Sequence, residues 1–285
     1  MNGCISPNIG VLDSGIGGLS VLREIHRLLP GRATIYVADQ QHLPYGPRPL
    51  DEIHRYVDGI TRFLRDRGAG VVVLACHAAS AAALYRLRES YPEMPFVGIE
   101  PALKPAVAAT RRGTVGVLTT QATADGPLYQ RVVSAYAGET RIITRIAPAL
   151  VTLAERSSVS DDEALRVVRQ ALQPLLDAGV DEIVLACTHF PFLAGWIGQI
   201  AGPDVALVDP GPAVARQVER VFPAFPPDSS PVHRYFTTGS AAPLAAHLRR
   251  LLAVETTVGQ LRWQGEYRAD QSAQLTLLAG HESAL

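Results

Sequence analysis

The chain writes Val-Leu-Ala-Cys twice, at 73–76 and at 184–187, each time closing a short and almost wholly apolar run. Apolar runs of four to eight residues without polar alternation suit strands covered on both faces, the setting of a parallel sheet. The doubling goes further. "IGVLDSG" at 9–15 has a counterpart in "VGVLTTQ" at 115–121, displaced by 106 residues, and the two cysteine segments are displaced by 111. Two αβ units of similar size, each with a reactive loop after corresponding strands, explain both displacements; chance likeness of short apolar strands is the alternative.

The rest of the chain alternates in the same way. Strands are expected at 8–13, 33–39, 70–75, 96–99, 114–120, 182–186 and 205–209. Leu19, Leu22, Ile25 and Leu29 recur at helical spacing, as do Ile53, Tyr56, Val57, Ile60 and Leu64. A helix is expected from about 79 to 90, and Ser160 with Glu163 forms a capping-box signature ahead of a helix to about Asp177. This reads as an α/β protein of two similar αβ domains with mainly parallel sheets, related by a pseudo-twofold axis, with the active site in the cleft between them. Residues 1–98 and 211–285 are expected to form the first domain and 99–210 the second, with 233–240 returning to the first. Residues 223–231 read as a loop, and from about Thr256 onward the chain reads as a polar, irregular tail.

Composition narrows the function. The chain has 285 residues, 47% of them hydrophobic, and a formal net charge of -1 without a basic block, which argues against wholesale nucleic-acid binding. It has no long uncharged apolar run to cross a membrane and no export signal. Its three cysteines make no disulfide framework, so a reduced, cytoplasmic protein is expected, with Cys4 an incidental thiol. Oligomeric state stays open, with a homodimer carried as an expectation.

In parallel sheets ligands bind at the C-terminal ends of strands. Asp13, Cys76, Thr120 and Cys187 all fall at such ends. "DSGIGGLS" at 13–20 follows a strand and opens a helix, which invites a dinucleotide reading with Asp39, although Ser20 stands where the third glycine belongs. Pro44, Tyr45 and Gly46 form a stiff exposed loop able to set a hydroxyl or backbone amides against a ligand. "CTHFPF" puts His189 two residues after Cys187, and His77 follows Cys76 directly. An imidazole there can lower a thiol's pKa or carry its proton. Zinc held by the two cysteines and two histidines is the competing reading, but no C-x2-C pair is present and no metal is expected.

These motifs together resemble the glutamate racemases of the cofactor-independent aspartate/glutamate racemase superfamily. The resemblance covers roughly residues 8–250 and rests on "DSGIGGLS", "YVAD" with "LPYG", "ACHAAS", "GIEPA", "GVLTTQAT" and "CTHFPF". It implies racemisation of glutamate, for peptidoglycan synthesis, by two thiols and no cofactor. One cysteine, as thiolate, takes the α-proton; the other, as thiol, delivers a proton to the opposite face. Cys76 and Cys187 would be that pair, with Asp13 assisting at Cys76, His189 at Cys187 and Glu155 a further helper on the second side. Ser14, Pro44, Tyr45, Gly46, His77, Ala78, Thr120, Thr123 and Thr188 would hold the small-molecule substrate.

The chain departs from the family in its first cysteine loop. The family reads Cys-Asn-Thr, and here stands Cys76-His77-Ala78. Ala78 lacks a hydroxyl, and His77 offers an imidazole for an amide. Retained glutamate turnover, action on another acidic amino acid, and a non-catalytic protein that binds an acidic ligand are the three outcomes left open. Ala147 also replaces a cysteine found in many relatives.

Overall fold

The computed structural model describes residues 7–156, 158–264 and 274–278. Its elements run in the order β1 (Asn8–Asp13), α1 (Leu19–Leu28), β2 (Thr34–Ala38), α2 (Leu50–Arg65), β3 (Ala69–Leu74), α3 (His77–Ser90), β4 (Phe96–Gly98), α4 (Leu103–Ala109), β5 (Thr114–Thr119), α5 (Gln121–Asp125), α6 (Pro127–Tyr136), β6 (Arg141–Ile146), α7 (Pro148–Glu155), α8 (Asp161–Asp177), β7 (Glu182–Leu185), α9 (Ala194–Ala201), β8 (Ala206–Val208), α10 (Gly211–Val221), β9 (His233–Thr237), α11 (Ala241–Leu252), β10 (Val258–Gln264) and β11 (Gln274–Leu277). Among the described residues these strands make two sheets, β11-β10-β9-β2-β1-β3-β4 and β6-β5-β7-β8. Neighbours are parallel except β10 with β11.

The sequence doubling is a doubling of topology. β2-β1-β3-β4 in one sheet has the same order as β6-β5-β7-β8 in the other. The register repeats as well. Val11 and Leu12 stand opposite Val73 and Leu74, and Val117 and Leu118 stand opposite Val184 and Leu185. The next-to-last carbonyl of each central strand also accepts in the same way, Leu12 from the Ala75 N–H (2.9 Å) and Leu118 from the Ala186 N–H (2.8 Å). Equivalent register carries the next residue of each, Cys76 and Cys187, off equivalent strand ends.

Apolar spacing explains the layers. α1 turns Leu19, Leu22 and Ile25 inward, all without solvent exposure, onto a core that also holds Val214 and Val218 of α10. β2 and β7 are buried along their whole length, hence their unbroken apolar runs. Ser160 caps α8 as its spacing foretold, its Oγ accepting from the Glu163 N–H.

Three readings need correction. The chain from Thr256 is not simply an irregular tail: β10 lies parallel to β9, and β11 turns back antiparallel to β10. The segment "VGQLRWQ" buries Val258 and Leu261 and exposes Arg262, a half-covered strand whose polar residues hide it in the sequence. β6, "RIITRI", is a partly exposed edge strand, and α7 follows it with Pro148 at its first position; the apolar-run criterion passed over both. The loop at 44–46 is exposed at Pro44 but buried at Tyr45. Cys4 lies outside the described residues.

Candidate active site

Cys76 and Cys187 open into one cavity of about 430 Å³. Cys76 is the N-cap of α3, and Cys187 is the second residue of the loop after β7. Ser14, Pro44, Tyr45, Gly46, Thr120 and Thr123 line the cavity, together with His77 and Ala78 beside one cysteine and His189 beside the other. Asp13, Glu155 and Thr188 are set behind that lining; Glu155 bonds the lining residue His189, and Thr188 bonds Asp13. Ile146, Pro148, Val151 and Thr152, from the β6–α7 connection, form a further wall that the sequence reading missed. The available signal was Pro148 ahead of closely spaced Leu150, Val151, Leu153 and Ala154.

The glycine-rich turn binds an anion, but an internal one. The Ile16 N–H donates to Glu155 Oε1 (2.9 Å), a carboxylate from the far end of α7. A side chain on Gly15 would run into that same oxygen. A Cβ on Gly17 would lie 2.7 Å from His189 Nδ1, and one on Gly18 would lie 2.6 Å from the Asp13 Cβ. The glycines thus let the loop after β1 press against the loop after β7, and the space a dinucleotide phosphate needs is filled. Asp39 is no ribose ligand here either. Its buried carboxylate accepts from Tyr45 Oη (2.7 Å), Thr238 Oγ1 (2.8 Å) and Trp263 Nε1 (2.9 Å). The Tyr45 hydroxyl is therefore engaged by Asp39, and it is the rest of the residue that faces the cavity.

Each thiol has its own surroundings. Cys76 Sγ lies 3.8 Å from Ser14 Oγ. Burial pushes the Cys76 thiol well up, and the charge of Asp13 adds to the effect, so this sulfur holds its proton at neutral pH. Cys187 Sγ lies 3.6 Å from His189 Nδ1, whose Nε2 meets Glu155 Oε1 at 2.7 Å. Burial works against charge on His189, but its bonds to Cys187 and Glu155 outweigh burial and raise it well above the ordinary imidazole range. Burial likewise disfavours the Glu155 carboxylate, yet the His189 and Ile16 hydrogen bonds hold it below its usual value. Hydrogen-bond contacts thus link Glu155 to His189 and His189 to Cys187.

Asp13 sits between the two halves. Its Oδ1 accepts the Gly15 N–H (2.9 Å) and its Oδ2 accepts the Thr188 hydroxyl (3.0 Å). Burial raises its pKa, with His189 pulling the other way. The Thr188 hydroxyl is thus directed to Asp13, while Thr120 and Thr123 face each other with hydroxyls 3.1 Å apart at the cavity edge. His77 is 2% exposed, burial alone lowers it to about 3, and neither ring nitrogen has a hydrogen-bond partner among the described residues. Among the described residues no three His, Cys, Asp or Glu side chains gather as a metal site, so the two Cys–His pairs do not converge on one ion. No helix of the described residues is long and apolar enough to cross a membrane.

Comparison with known proteins agrees with this arrangement. The model of the Asp/Glu/Hydantoin racemase family matches residues 9–218. The glutamate racemase of Pseudomonas putida strain W619 is 45% identical over 219 residues, 77% of this chain and 83% of the relative. That of Herpetosiphon aurantiacus is 43% identical over 251 residues, 87% of this chain and 98% of the relative. Among solved structures, Escherichia coli glutamate racemase in complex with L-glutamate and the activator UDP-MurNAc-ala superposes with a TM-score of 0.83 at 32% identity. That match covers 92% of this chain and 100% of the other.

Proposed function

The chain belongs to the Asp/Glu/Hydantoin racemase family and is an isomerase that racemises glutamate, and we propose that Cys76 and Cys187 are the two groups that exchange its α-proton. The observation that carries the assignment is their placement at equivalent strand ends of a repeated topology, facing one cavity. Residues 1–98 with 211–285 and residues 99–210 act in this proposal as two domains that close on the substrate.

In one direction Cys187, as thiolate, takes the α-proton: the C–H bond breaks, an S–H bond forms, and the electron pair passes into the adjacent carboxylate. Cys76, which rests protonated, then delivers its proton to the opposite face and becomes the thiolate. The reverse reaction exchanges the roles, and each turnover leaves the two sulfurs with exchanged protonation to be reset. His189, backed by Glu155, serves that reset at Cys187; Asp13 and Ser14 serve it at Cys76. Ser14, Thr120, Thr123 and the backbone of Pro44, Tyr45 and Gly46 hold the substrate carboxylates and amine, with Thr188 fixing Asp13 behind them. His77 and Ala78 shape the corner beside Cys76. Donors aimed at the reacting carboxylate stabilise the charge that develops there. The scheme uses no cofactor. The product D-glutamate is assigned to peptidoglycan synthesis in the cytoplasm, and the assembly proposed is a homodimer, which light scattering reads directly.

The test is α-hydrogen exchange of L- and D-glutamate in deuterium oxide, followed together with racemisation. The parent protein is expected to do both without additives, and Cys76→Ser and Cys187→Ser each to lose racemisation. Wild-type turnover in both variants would remove the thiols from the mechanism.

A further inference from the structure

The line of groups behind Cys187 does not end at Glu155. Glu155 is the last residue of α7, and the last carbonyls of a helix have no partner within it. The Glu155 main-chain oxygen lies 3.1 Å from Nε2 of His247, a 2% exposed side chain on α11. The other ring nitrogen, Nδ1, lies 3.1 Å from Arg250 Nη2. A guanidinium only donates, so Nδ1 accepts, and Nε2 must then carry the ring's hydrogen and donate it to the Glu155 carbonyl. The tautomer is fixed by its neighbours. Beyond it the Arg250 charge stands near a helix C-terminus, where a cation is favourable.

We propose that His247 is a positioning residue for proton transfer at Cys187, fixing Glu155 by its main chain and so fixing the His189 ring that faces the sulfur. The chain of contacts is Arg250 to His247, His247 to the Glu155 carbonyl, Glu155 Oε1 to His189 Nε2, and His189 Nδ1 to Cys187 Sγ. It also bridges the two sheets. α11 packs beside the first sheet with Leu244 and Leu248, while α7 packs beside the second with Leu150 and Leu153. Glu155 Oε1 must satisfy the Ile16 N–H and His189 at once, so its position along the α7 axis is critical. A displacement of about 1 Å at such a site can cost about a hundredfold in rate.

The chain from Arg250 ends on Cys187 and does not pass through the Ser14–Cys76 pair, whose loop Glu155 meets at the Ile16 N–H, two residues beyond Ser14. Loss of His247 therefore slows one of the two proton transfers, whereas loosening of the fold alone has no reason to choose between them. The overall equilibrium between enantiomers is fixed at unity, so kcat/KM falls equally in both directions. The substrate isotope effect is free to diverge.

The experiment compares α-deuterated and ordinary L- and D-glutamate in the full-length parent and in His247→Leu, His247→Gln and Cys187→Ser. His247→Leu is expected to lower kcat about tenfold or more. Its isotope effect should rise for the enantiomer that Cys187 deprotonates and shrink for the other. His247→Gln, which keeps an N–H at comparable reach, should recover most of the parent rate and the parent pattern. Parent-like kcat in His247→Leu, or isotope effects that move together in both directions, would overturn the proposal. Should His247→Leu not fold, Arg250→Met decides by the same isotope criterion, since it leaves the imidazole in place and removes the donor that fixes its tautomer. The inference rests on the two-thiol reading, and Cys187→Ser separates them: an active variant ends that reading, while an inactive one beside a parent-like His247→Leu ends only this proposal.

Discussion

His77 stands where the family resemblance leads one to expect asparagine, and its surroundings say what the imidazole costs there. Both ring nitrogens are buried without a partner among the described residues, although the neutral ring has one donor and one acceptor to satisfy. An unsatisfied buried polar group costs about 1–3 kcal/mol. His77→Leu, similar in volume and free of polar atoms, is expected to raise stability by roughly that amount, measured as a higher urea midpoint with an unchanged slope. A lower midpoint would mean that the imidazole is hydrated or paired in solution. The sequence announced this position by its mismatch with Cys-Asn-Thr, but not its consequence, because burial and missing partners belong to the packed structure. The same holds for Asp13 and Thr188. Their positions at strand ends were readable, but their contact with each other, across 175 residues of chain, was not.

The strand that the sequence concealed has a direct connection to the cavity. β10 brings Trp263 Nε1 to within 2.9 Å of Asp39 Oδ1, and Asp39 Oδ2 accepts the Tyr45 hydroxyl at 2.7 Å. The loop carrying Tyr45 and Gly46 along the cavity is thus anchored to a strand from the far end of the chain. Trp263→Phe removes a hydrogen bond to a buried carboxylate, worth about 1.5–3 kcal/mol. It is expected to lower the thermal midpoint and raise KM for glutamate severalfold, with kcat changed less. An unaltered KM would show that the loop holds without the strand. Central strands were readable because burial on both faces demands unbroken apolar runs, as in β1, β3 and β7. β6 and β10 were not, because an edge or half-covered strand keeps polar residues that look like loop, and α7 was not, because its eight residues are too few for a helical period to stand out. Their contribution to the site, the Ile146–Thr152 wall and Trp263, was lost with them.

Across the chain, the titrating groups set a pH range for folding that follows from where the histidines are buried. Burial lowers His77 to about 3 and His26 to about 4, and it also lowers His54, His233 and His247. Below the ordinary imidazole value near 6.5 the unfolded chain takes up protons at these five positions that the folded chain does not. Stability therefore falls with falling pH, by up to about 1.4 kcal/mol per unit for each histidine while it remains neutral in the fold. Asp13 and Asp209, raised by burial, oppose this by taking up protons in the folded state as pH falls. Glu155, held low, adds stability above its ordinary range near 4.5 that is lost as pH falls through its folded value. His189 acts on the alkaline side: its raised pKa gives stability fully present below about 6.5 and lost as pH rises through its folded value. The expected profile has its maximum near neutrality and a marked decline from pH 6.5 toward 4, read from urea unfolding at half-unit steps. His26→Gln should flatten the acid limb, since among the described residues His26 Nε2 bonds the Thr34 hydroxyl alone (3.0 Å), which also faces His233 Nδ1 (2.9 Å), and an amide can make the same contact without binding a proton. Equal unfolding free energies at pH 7 and pH 5 would mean that water reaches these rings, and that the burial which sets the profile is not maintained in solution.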